Sequence, residues 1–285
     1  MRVTTSEIRG MKEKGERIAA LTAYDYLTAR LVDESGVPLV LVGDSLGMVF
    51  LGYETTIPVR LSEVLHHTKA VTRGCRNALV VADMPFMTYH ISEGQALENA
   101  ARLIQEGGAH AVKLEGGCAM APTVTRLVQS GIPVMGHIGL TPQSVHQFGG
   151  FKVQGKSVEQ ARNLIDDARA LEDAGAFSIV LECIPAKLSQ IITRRLQIPT
   201  IGIGAGPDCD GEIQVISDLL GLVTDFIPKH AKRYARLADE IRSALGRYVS
   251  DVTSRAFPTE KESFSIDPAV LEQIIERDAD SSEIQ

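Results

Sequence analysis

Five apolar runs in this sequence each end in polar residues, and this repetition restricts the fold more than any other feature. The runs are VLVGDS (40–45), LVVADMP (79–85), VKLEGG (112–117), VMGHIG (134–139) and IVLECIP (179–185). An unpaired charge buried at a strand end is very unfavourable, so this recurrence indicates a shared site. A parallel barrel brings the carboxyl ends of all its strands to one face, where its active site lies. The pattern therefore predicts a barrel with one ring of functional side chains.

Strand-like and helix-like segments alternate along the chain, which predicts an α/β fold with a parallel sheet. Eight units can be assigned, and the last ones comprise a strand at 198–206, a helix at 211–221, a weaker eighth strand at 223–229 and a helix at 235–252. A doubly wound sheet is the competing architecture. We favour a single (β/α)8 TIM barrel over residues 1–256, because the polar endings recur on nearly every strand and not at one switch point.

Residues 257–285 differ from the rest of the chain because they are acidic and lie outside the eight units. We expect a short C-terminal extension that is partly disordered, as chain termini often are. Within it, DPAVLEQIIE predicts a short helix that has Asp267 as its N-cap and Pro268 in its first turn.

Composition and charge argue against several classes of function. The 285 residues carry a net charge of −7 without a cluster of Lys and Arg, which argues against nucleic-acid and anionic-membrane partners. No apolar run has the length of a membrane span and the N-terminus has no secretory signal, so we expect a cytoplasmic protein that acts on small molecules. The four cysteines form no CxxC pair, which suits reduced thiols.

The strand ends that are predicted to share a site carry an excess of negative charge. Lys113 and Glu115 lie on one face of their strand because they are two residues apart. With Asp44, Asp83 and Glu182, the site would hold four carboxylates against one ammonium group. A divalent cation would relieve their mutual repulsion. Oxygen ligands that leave room for water and substrate favour Mg²⁺ over Ca²⁺ and Zn²⁺.

Each of these residues also has a purely structural explanation. An aspartate at a strand end, such as Asp44 or Asp83, often caps the following helix, and an isolated His137 is more often a hydrogen-bonded core residue than a catalyst. Glu182 is harder to explain in this way because it lies inside the apolar run IVLECIP. The recurrence of polar ends on successive strands favours a metal-assisted active site.

The connection at 138–156 is long for a link between a strand and a helix. Long loops in compact domains are often lids over a site, and Gly149 with Gly150 would provide a hinge. A passive insertion or a contact in an oligomer explains the length equally well.

At these same residues the chain resembles the ketopantoate hydroxymethyltransferase family. The matching stretches occur in the family's order and include TAYDY, GDSLGM, VVADMPFMTY, VKLEGG, GHIGLTPQS, GGFKVQG, VLECIP and IGIGAG. The resemblance implies a (β/α)8 barrel that assembles as a homo-decamer. It also implies transfer of a one-carbon unit from 5,10-methylenetetrahydrofolate to 3-methyl-2-oxobutanoate, which gives 2-dehydropantoate for pantothenate biosynthesis.

The resemblance further assigns a role to each polar strand end. It places Mg²⁺ ligands at Asp44 and Asp83, with Glu115 in the shell of the metal. It places the general base at Glu182 and an active-site histidine at His137. The substrate contacts that it implies are Asp44, Ser45, Asp83 and Lys113, with His137 as a further polar partner. In this scheme Mg²⁺ stabilises the enolate that forms when Glu182 removes the C3 proton.

Two other functions stay open at this point. The first is a Mg²⁺-dependent C–C lyase or mutase of the phosphoenolpyruvate mutase and isocitrate lyase type, acting on 2-oxo acids through similar enolates. Such an enzyme is expected to carry a reactive cysteine on a loop near the mouth, and Cys118 is the only near candidate. The second is a barrel that only binds ligands. Retention of the charged strand ends speaks against it, because a scaffold would gain stability by losing them.

Overall fold

The computed structural model of this chain describes residues 2–282, with side chains as far as residue 275. The chain divides into two compact units, one that ends at Ala235 and one that begins at Arg236. The predicted disorder at the end of the tail falls in part on residues 283–285, which lie outside the described range.

The first unit is built around eight parallel strands that close into a barrel. The strands are β1 (Ile18–Thr22), β2 (Leu39–Val42), β3 (Leu79–Asp83), β4 (Ala111–Lys113), β5 (Val134–Gly139), β6 (Ser178–Glu182), β7 (Thr200–Ile203) and β8 (Gly211–Gln214). Each strand pairs with its neighbour in the chain, and β8 returns to β1 with Ile18 opposite Gly211. This closure confirms the predicted (β/α)8 barrel and excludes the doubly wound sheet.

Helices precede or follow most of the strands, as the alternating pattern predicts. They are α1 (Thr5–Glu13), α2 (Tyr26–Glu34), α3 (Leu46–Val49), α4 (Leu61–Gly74), α5 (Glu93–Gln105), α6 (Ala121–Gln129), α7 (Val145–Phe148), α8 (Val158–Asp173), α9 (Ala186–Arg195) and α10 (Ile216–Leu219). Short 3-10 helices occupy Cys118–Met120 and Pro142–Ser144. The first helix, α1, packs Ile8 into the apolar cluster inside the barrel.

The predicted eighth strand is wrong. The segment 223–229 forms no strand, and β8 lies instead at the start of the segment predicted as a helix. Residues 204–210 link β7 to β8 without a helix. The strand forms there because Ile213 is buried inside the barrel and Gly211 packs tightly against β1, where a Cβ would overlap the carbonyl oxygen of Ile18.

Alternation along the strands decides which side chains enter the barrel. The interior cluster includes Ile18, Leu39, Val81, Ala111, Met135, Val180 and Ile201. On β3 and β5 the next inward position is a polar residue at or near the carboxyl end of the strand, so that Asp83 follows Val81 and His137 follows Met135. A second, larger apolar cluster fills the space between strands and helices. The polar residues at the strand ends therefore meet at one end of the closed apolar core.

The second unit contains two helices, α11 (Leu237–Thr253) and α12 (Pro268–Ser282), and a 3-10 turn at Glu260–Glu262. The helix predicted at 235–252 is α11, and it belongs to this unit. The predicted tail helix is α12, and Asp267 Oδ1 accepts the N–H of Ala269 at 2.9 Å as an N-terminal cap does. Among residues 2–282, the helices lack the combination of length and apolar character that a bilayer crossing requires.

Candidate active site

The residues predicted to form the site line one cavity at the carboxyl ends of the strands, with a volume of about 710 Å³. They are Asp44, Ser45, Asp83, Lys113, Glu115, His137 and Glu182. Ser45 and Glu182 are half-buried, whereas the others are buried, with exposed fractions between 1 % and 4 %. The structure thus brings together every side chain that the sequence singled out.

Lys113 and Asp83 form an ion pair on the floor of the cavity. The Lys113 Nζ lies 2.8 Å from both Asp83 oxygens, because the two residues are neighbours across β3 and β4. Asp83 Oδ2 also accepts the backbone N–H of Asp44 at 3.2 Å. Burial opposes the charge on Lys113, but Asp83 and Glu115 outweigh it and raise the pKa of the ammonium group. Lys113 therefore stays charged at neutral pH.

His137 lies between two glutamates. Its Nδ1 is 3.3 Å from Glu115 Oε1, and its Nε2 is 3.2 Å from Glu182 Oε2. These distances suit ion pairs, but the ring is not aligned for hydrogen bonding, and within residues 2–275 neither ring nitrogen has a hydrogen-bond partner. Burial and Lys113 lower the pKa of the imidazole, whereas Glu115 and Glu182 raise it to about 9. His137 is therefore protonated at neutral pH and links the two carboxylates.

Gln143 belongs to this site, although the sequence did not single it out. It lies in the 3-10 helix that follows β5, on the long loop noted above. Its side-chain amide donates to Asp44 Oδ2 at 2.8 Å and to the Met84 carbonyl oxygen at 3.0 Å. Its backbone N–H donates to Glu115 Oε2 at 3.0 Å. One buried residue thus holds carboxylates from two different strand ends, and the loop length was its only signal in the sequence.

Tyr89 fixes the orientation of Gln143. The Tyr89 hydroxyl donates to Gln143 Oε1 at 2.7 Å and accepts the backbone N–H of Glu115 at 3.1 Å. The ring is 1 % exposed, so no water competes for these bonds. Because Oε1 receives the tyrosine proton, the NH₂ group of Gln143 must face Asp44.

Asp44 bears an unfavourable charge. Burial is the main reason that the pKa of this carboxyl lies well above its ordinary value, and repulsion from Asp83 and Glu115 adds to the rise. Lys113 and the Gln143 amide oppose the rise in pKa without cancelling it. The carboxylates of the cavity floor therefore carry more negative charge than the neighbouring cations neutralise.

The oxygen atoms of the floor fit a hard divalent cation. Glu115 Oε1 is buried and, within residues 2–275, has no hydrogen-bond partner, and Asp44 and Asp83 line the same cavity. No three His, Cys, Asp or Glu side chains of the described chain stand together as a ready-made metal cluster. Mg²⁺ is commonly held by one or two carboxylates while substrate oxygens and water complete its shell, and this is the arrangement that the residues suit.

Neighbouring residues fix the positions of Glu182 and Ser45. Gly139 pairs with Glu182 across β5 and β6 and has a φ of 97°. A Cβ at this position would overlap the Glu182 carbonyl oxygen, so glycine permits the close approach of the two strand ends. Ser45 Oγ lies 2.8 Å from the Tyr24 hydroxyl, which holds it at the edge of the cavity.

The long loop after β5 forms part of the cavity wall. Phe151 and Val153 from this loop line the cavity, and the Gln154 N–H donates to the Cys183 carbonyl oxygen at 2.9 Å. Together with Gln143 on the floor, these contacts make the loop a component of the site and not a passive insertion.

Comparison with known sequences gives one consistent family. The profile of the family described as Ketopantoate hydroxymethyltransferase matches residues 2–260. A protein named 3-methyl-2-oxobutanoate hydroxymethyltransferase from Dehalococcoides mccartyi (strain CBDB1) is 61% identical over 274 residues, which cover 96% of this chain and 98% of the relative. A protein of the same name from Syntrophus aciditrophicus (strain SB) is 59% identical over 263 residues, covering 92% and 97%.

Solved structures of low sequence identity share the fold. A phosphonopyruvate hydrolase complexed with oxalate and Mg²⁺ aligns with a TM-score of 0.57 at 13% identity, covering 99% of this chain and 96% of that chain. 2,3-Dimethylmalate lyase, a member of the PEP mutase/isocitrate lyase superfamily, aligns with a TM-score of 0.56 at 18% identity, covering 99% of both chains. These similarities support the barrel architecture alone.

Proposed function

This chain belongs to the ketopantoate hydroxymethyltransferase family, and from that premise we propose that it transfers a hydroxymethyl group from 5,10-methylenetetrahydrofolate to 3-methyl-2-oxobutanoate. The product would be 2-dehydropantoate, a precursor in pantothenate biosynthesis. The proposal includes a homo-oligomer, a decamer by the family resemblance, that works in the cytoplasm on small molecules.

The reaction requires a base beside a site that stabilises negative charge. The C3 proton of the oxo acid leaves, and the C3 carbon then bonds to the methylene carbon of the folate. Both C–N bonds of the methylene bridge break, and water supplies the hydroxyl group of the product. The C3 proton and the remaining proton of the water end on the two nitrogen atoms of tetrahydrofolate, which is released. Since the C3–H bond is a weak acid, removal of the proton is the step that most needs the protein.

One observation carries the proposal, namely that the Glu182 side chain is more exposed than the side chains of the cavity floor. The Glu182 side chain keeps 17% of its surface exposed, whereas the Lys113 and Asp83 side chains of the floor keep 5% and 2%. Glu182 is therefore within reach of a substrate that rests on a dry, charged floor. We assign it the role of general base, with the Nε2 atom of His137 beside it at 3.2 Å.

The floor would hold the oxo acid and the cation. Asp44 and Asp83 are the proposed Mg²⁺ ligands, with Glu115 in its shell, and Asp44, Ser45, Asp83 and Lys113 are the proposed substrate contacts. When bound, the cation would supply positive charge next to the keto oxygen, where negative charge develops. Lys113 adds a second positive charge at 2.8 Å from Asp83, inside the buried floor where such charges act strongly.

Product formation from defined substrates tests this function. Purified protein is incubated with 3-methyl-2-oxobutanoate, 5,10-methylenetetrahydrofolate and Mg²⁺, and 2-dehydropantoate is measured by mass spectrometry. Product that depends on both the folate and the cation is the expected result. Cleavage of 2,3-dimethylmalate without folate-dependent product would support the lyase alternative instead. Ligand binding without turnover of either substrate would support the binding barrel.

Gln143→Leu should weaken Mg²⁺ binding by about 10- to 100-fold, as removal of groups that orient metal ligands usually does. Leucine keeps the approximate volume but removes the amide that donates to Asp44 Oδ2. Titration with Mn²⁺ followed by electron paramagnetic resonance measures the affinity without any turnover. Tyr89→Phe is the matched control, because it leaves the amide in place and removes only the hydroxyl that orients it. Its loss of affinity should be smaller. A folded Gln143→Leu protein with the original affinity would contradict the positioning role.

A further inference from the structure

The cavity has two chemically different halves. The charged floor lies at the ends of β2 to β5, with Glu182 of β6 beside it, whereas another part of the lining comes from the loop after β5 and from the segment after α10. The apolar lining of this wall includes Phe151, Val153, Leu222, Val223 and Phe226. Several of these side chains are well exposed, Phe226 to 71% and Phe151 to 56%. Exposed apolar side chains of this kind can bind a second ligand, different from the small polar substrate that rests on the floor.

The volume of the cavity also exceeds the needs of the oxo acid. A cavity of about 710 Å³ is in the range of roughly 300–1,000 Å³ that holds drug-sized ligands. A five-carbon oxo acid with its cation occupies only a small part of such a space. The remaining volume lies against the apolar wall, so the cavity has room for a second and larger molecule.

Asp218 is a half-buried acidic side chain in this half of the cavity, whereas Asp225 on the segment after α10 is exposed. Asp218 lies on α10, is half-buried and lines the cavity. Within residues 2–275 its carboxylate accepts no hydrogen bond and makes no ion pair within 4.0 Å. Burial raises the pKa of this carboxyl, and His230 and Arg233 oppose the rise. A carboxylate in an apolar wall is unfavourable unless a ligand supplies N–H donors to it.

The helix that carries Asp218 is tied to the end of β1. The Ile216 N–H of α10 donates to Thr22 Oγ1 at 3.0 Å, and Thr22 lines the cavity. Tyr24, two residues further along the chain, bonds Ser45 next to Asp44. A ligand held by Asp218 would therefore lie beside a substrate held near Asp44.

We propose that Asp218 and the apolar wall bind the flat 2-amino-4-oxopyrimidine end of the folate co-substrate, with the carboxylate accepting the ring N3–H and the 2-amino N–H. This inference rests on the proposed function, because it places the second substrate of that reaction. The ring has two parallel N–H donors on one edge and two apolar faces, which match a carboxylate set among Leu222, Val223 and Phe226. The methylene carbon near the ring would then face the floor, where C3 of the oxo acid is deprotonated.

Asp218→Asn should separate the two half-reactions. The KM for 5,10-methylenetetrahydrofolate should rise by about 10- to 100-fold, because an amide presents an N–H group where the ring needs an acceptor. Exchange of the C3 hydrogen of 3-methyl-2-oxobutanoate in D₂O, which needs no folate, should proceed at the rate of the unaltered protein. Normal exchange also shows that the variant is folded and that its floor is intact.

Asp225→Asn is the matched control. Asp225 is an exposed acid on the segment after α10 that also lines the cavity, and the Thr224 hydroxyl donates to its Oδ1 at 3.2 Å. The substitution makes the same change in charge, so an equal rise in KM would point to a general electrostatic effect and overturn the specific role of Asp218. A KM that does not change in Asp218→Asn would overturn it too. Loss of C3 exchange in that variant would place Asp218 in the oxo-acid half.

A ligand analogue tests the contact directly. The probes are tetrahydrofolate and its analogue with a methyl group in place of the 2-amino group, each titrated by calorimetry into the full-length protein loaded with Mg²⁺ and 3-methyl-2-oxobutanoate. The unaltered protein should bind the analogue about 10- to 100-fold more weakly. Asp218→Asn should show little preference. Equal preference in both proteins would overturn the contact, whereas absence of C3 exchange and of product in the unaltered protein would overturn the proposed function itself.

Discussion

Glu182→Gln should slow exchange of the C3 hydrogen of 3-methyl-2-oxobutanoate by about 10²–10⁴, the usual contribution of a positioned base. Glutamine keeps the size of the side chain and its position at the cavity wall but cannot accept the proton. The oxo acid and the cation should still bind, because Glu182 pairs with His137 and is not part of the buried Lys113–Asp83 pair. Loss of the C3 proton signal in D₂O, followed by nuclear magnetic resonance without folate, measures this step alone.

Glu212→Gln is the matched control for this experiment. Glu212 is a half-buried glutamate on β8, and burial raises the pKa of its carboxyl to about 7, although it is not among the residues that line the cavity. This variant should exchange at the normal rate. If Glu182→Gln exchanges normally but forms no product, Glu182 acts on the folate half of the reaction. If it is normal in both, the base is another residue of the site.

Asp44→Ala should lower turnover by about 10³ or more, because a cation next to the developing enolate contributes several kcal/mol that this variant would lose. Asp44 is buried at the centre of the floor, and Gln143 holds its Oδ2 at 2.8 Å. Turnover measured across a Mg²⁺ titration should not return at saturation. Normal turnover at high Mg²⁺ would contradict the assignment of Asp44 as a ligand.

Thermal unfolding of the metal-free protein shows whether this variant is folded. Burial and the nearby carboxylates raise the pKa of Asp44, so its ionised form is unfavourable in the folded state when no cation is present. The melting temperature of metal-free Asp44→Ala should therefore equal or exceed that of the unaltered protein at neutral pH. A clear fall would mean that Asp44 has a structural role that the loss of turnover also reflects.

The polar ring of the cavity could be predicted because a local rule governs it. Side chains of a strand alternate, so an apolar residue known to face inward fixes its neighbour two positions away. Ala111 and Lys113 follow this rule on β4, as do Val180 and Glu182 on β6. The barrel itself was predicted from the recurrence of polar ends on successive strands. Asp44 is an exception to the alternation rule, because Val40 and Val42, which share its parity, belong to the cluster between strands and helices.

Gln143 and β8 could not be predicted, because no local rule governs them. A glutamine in a loop looks the same in the sequence whether it faces water or a buried carboxylate, and only the path of the loop after β5 carries Gln143 to Asp44. The run GEIQ is short, and its extended form depends on partners on both sides, β1 and β7. Asp218 was not singled out for the same reason. It lies in the segment 211–221, which was predicted as one helix, and its place in the cavity depends on the actual path of this segment.

The attachment of Gln143 to a loop has a consequence for the timing of the reaction. Its backbone N–H and its side-chain amide hold Glu115 and Asp44 at once, so any outward swing of the loop would free both carboxylates together. If the loop opened to admit ligands, the floor would lose these hydrogen bonds, and closure of the loop would restore them. An enolate would then form only while the loop is closed. Bulk water would be excluded, so that solvent could not protonate the enolate before it reacts with the folate.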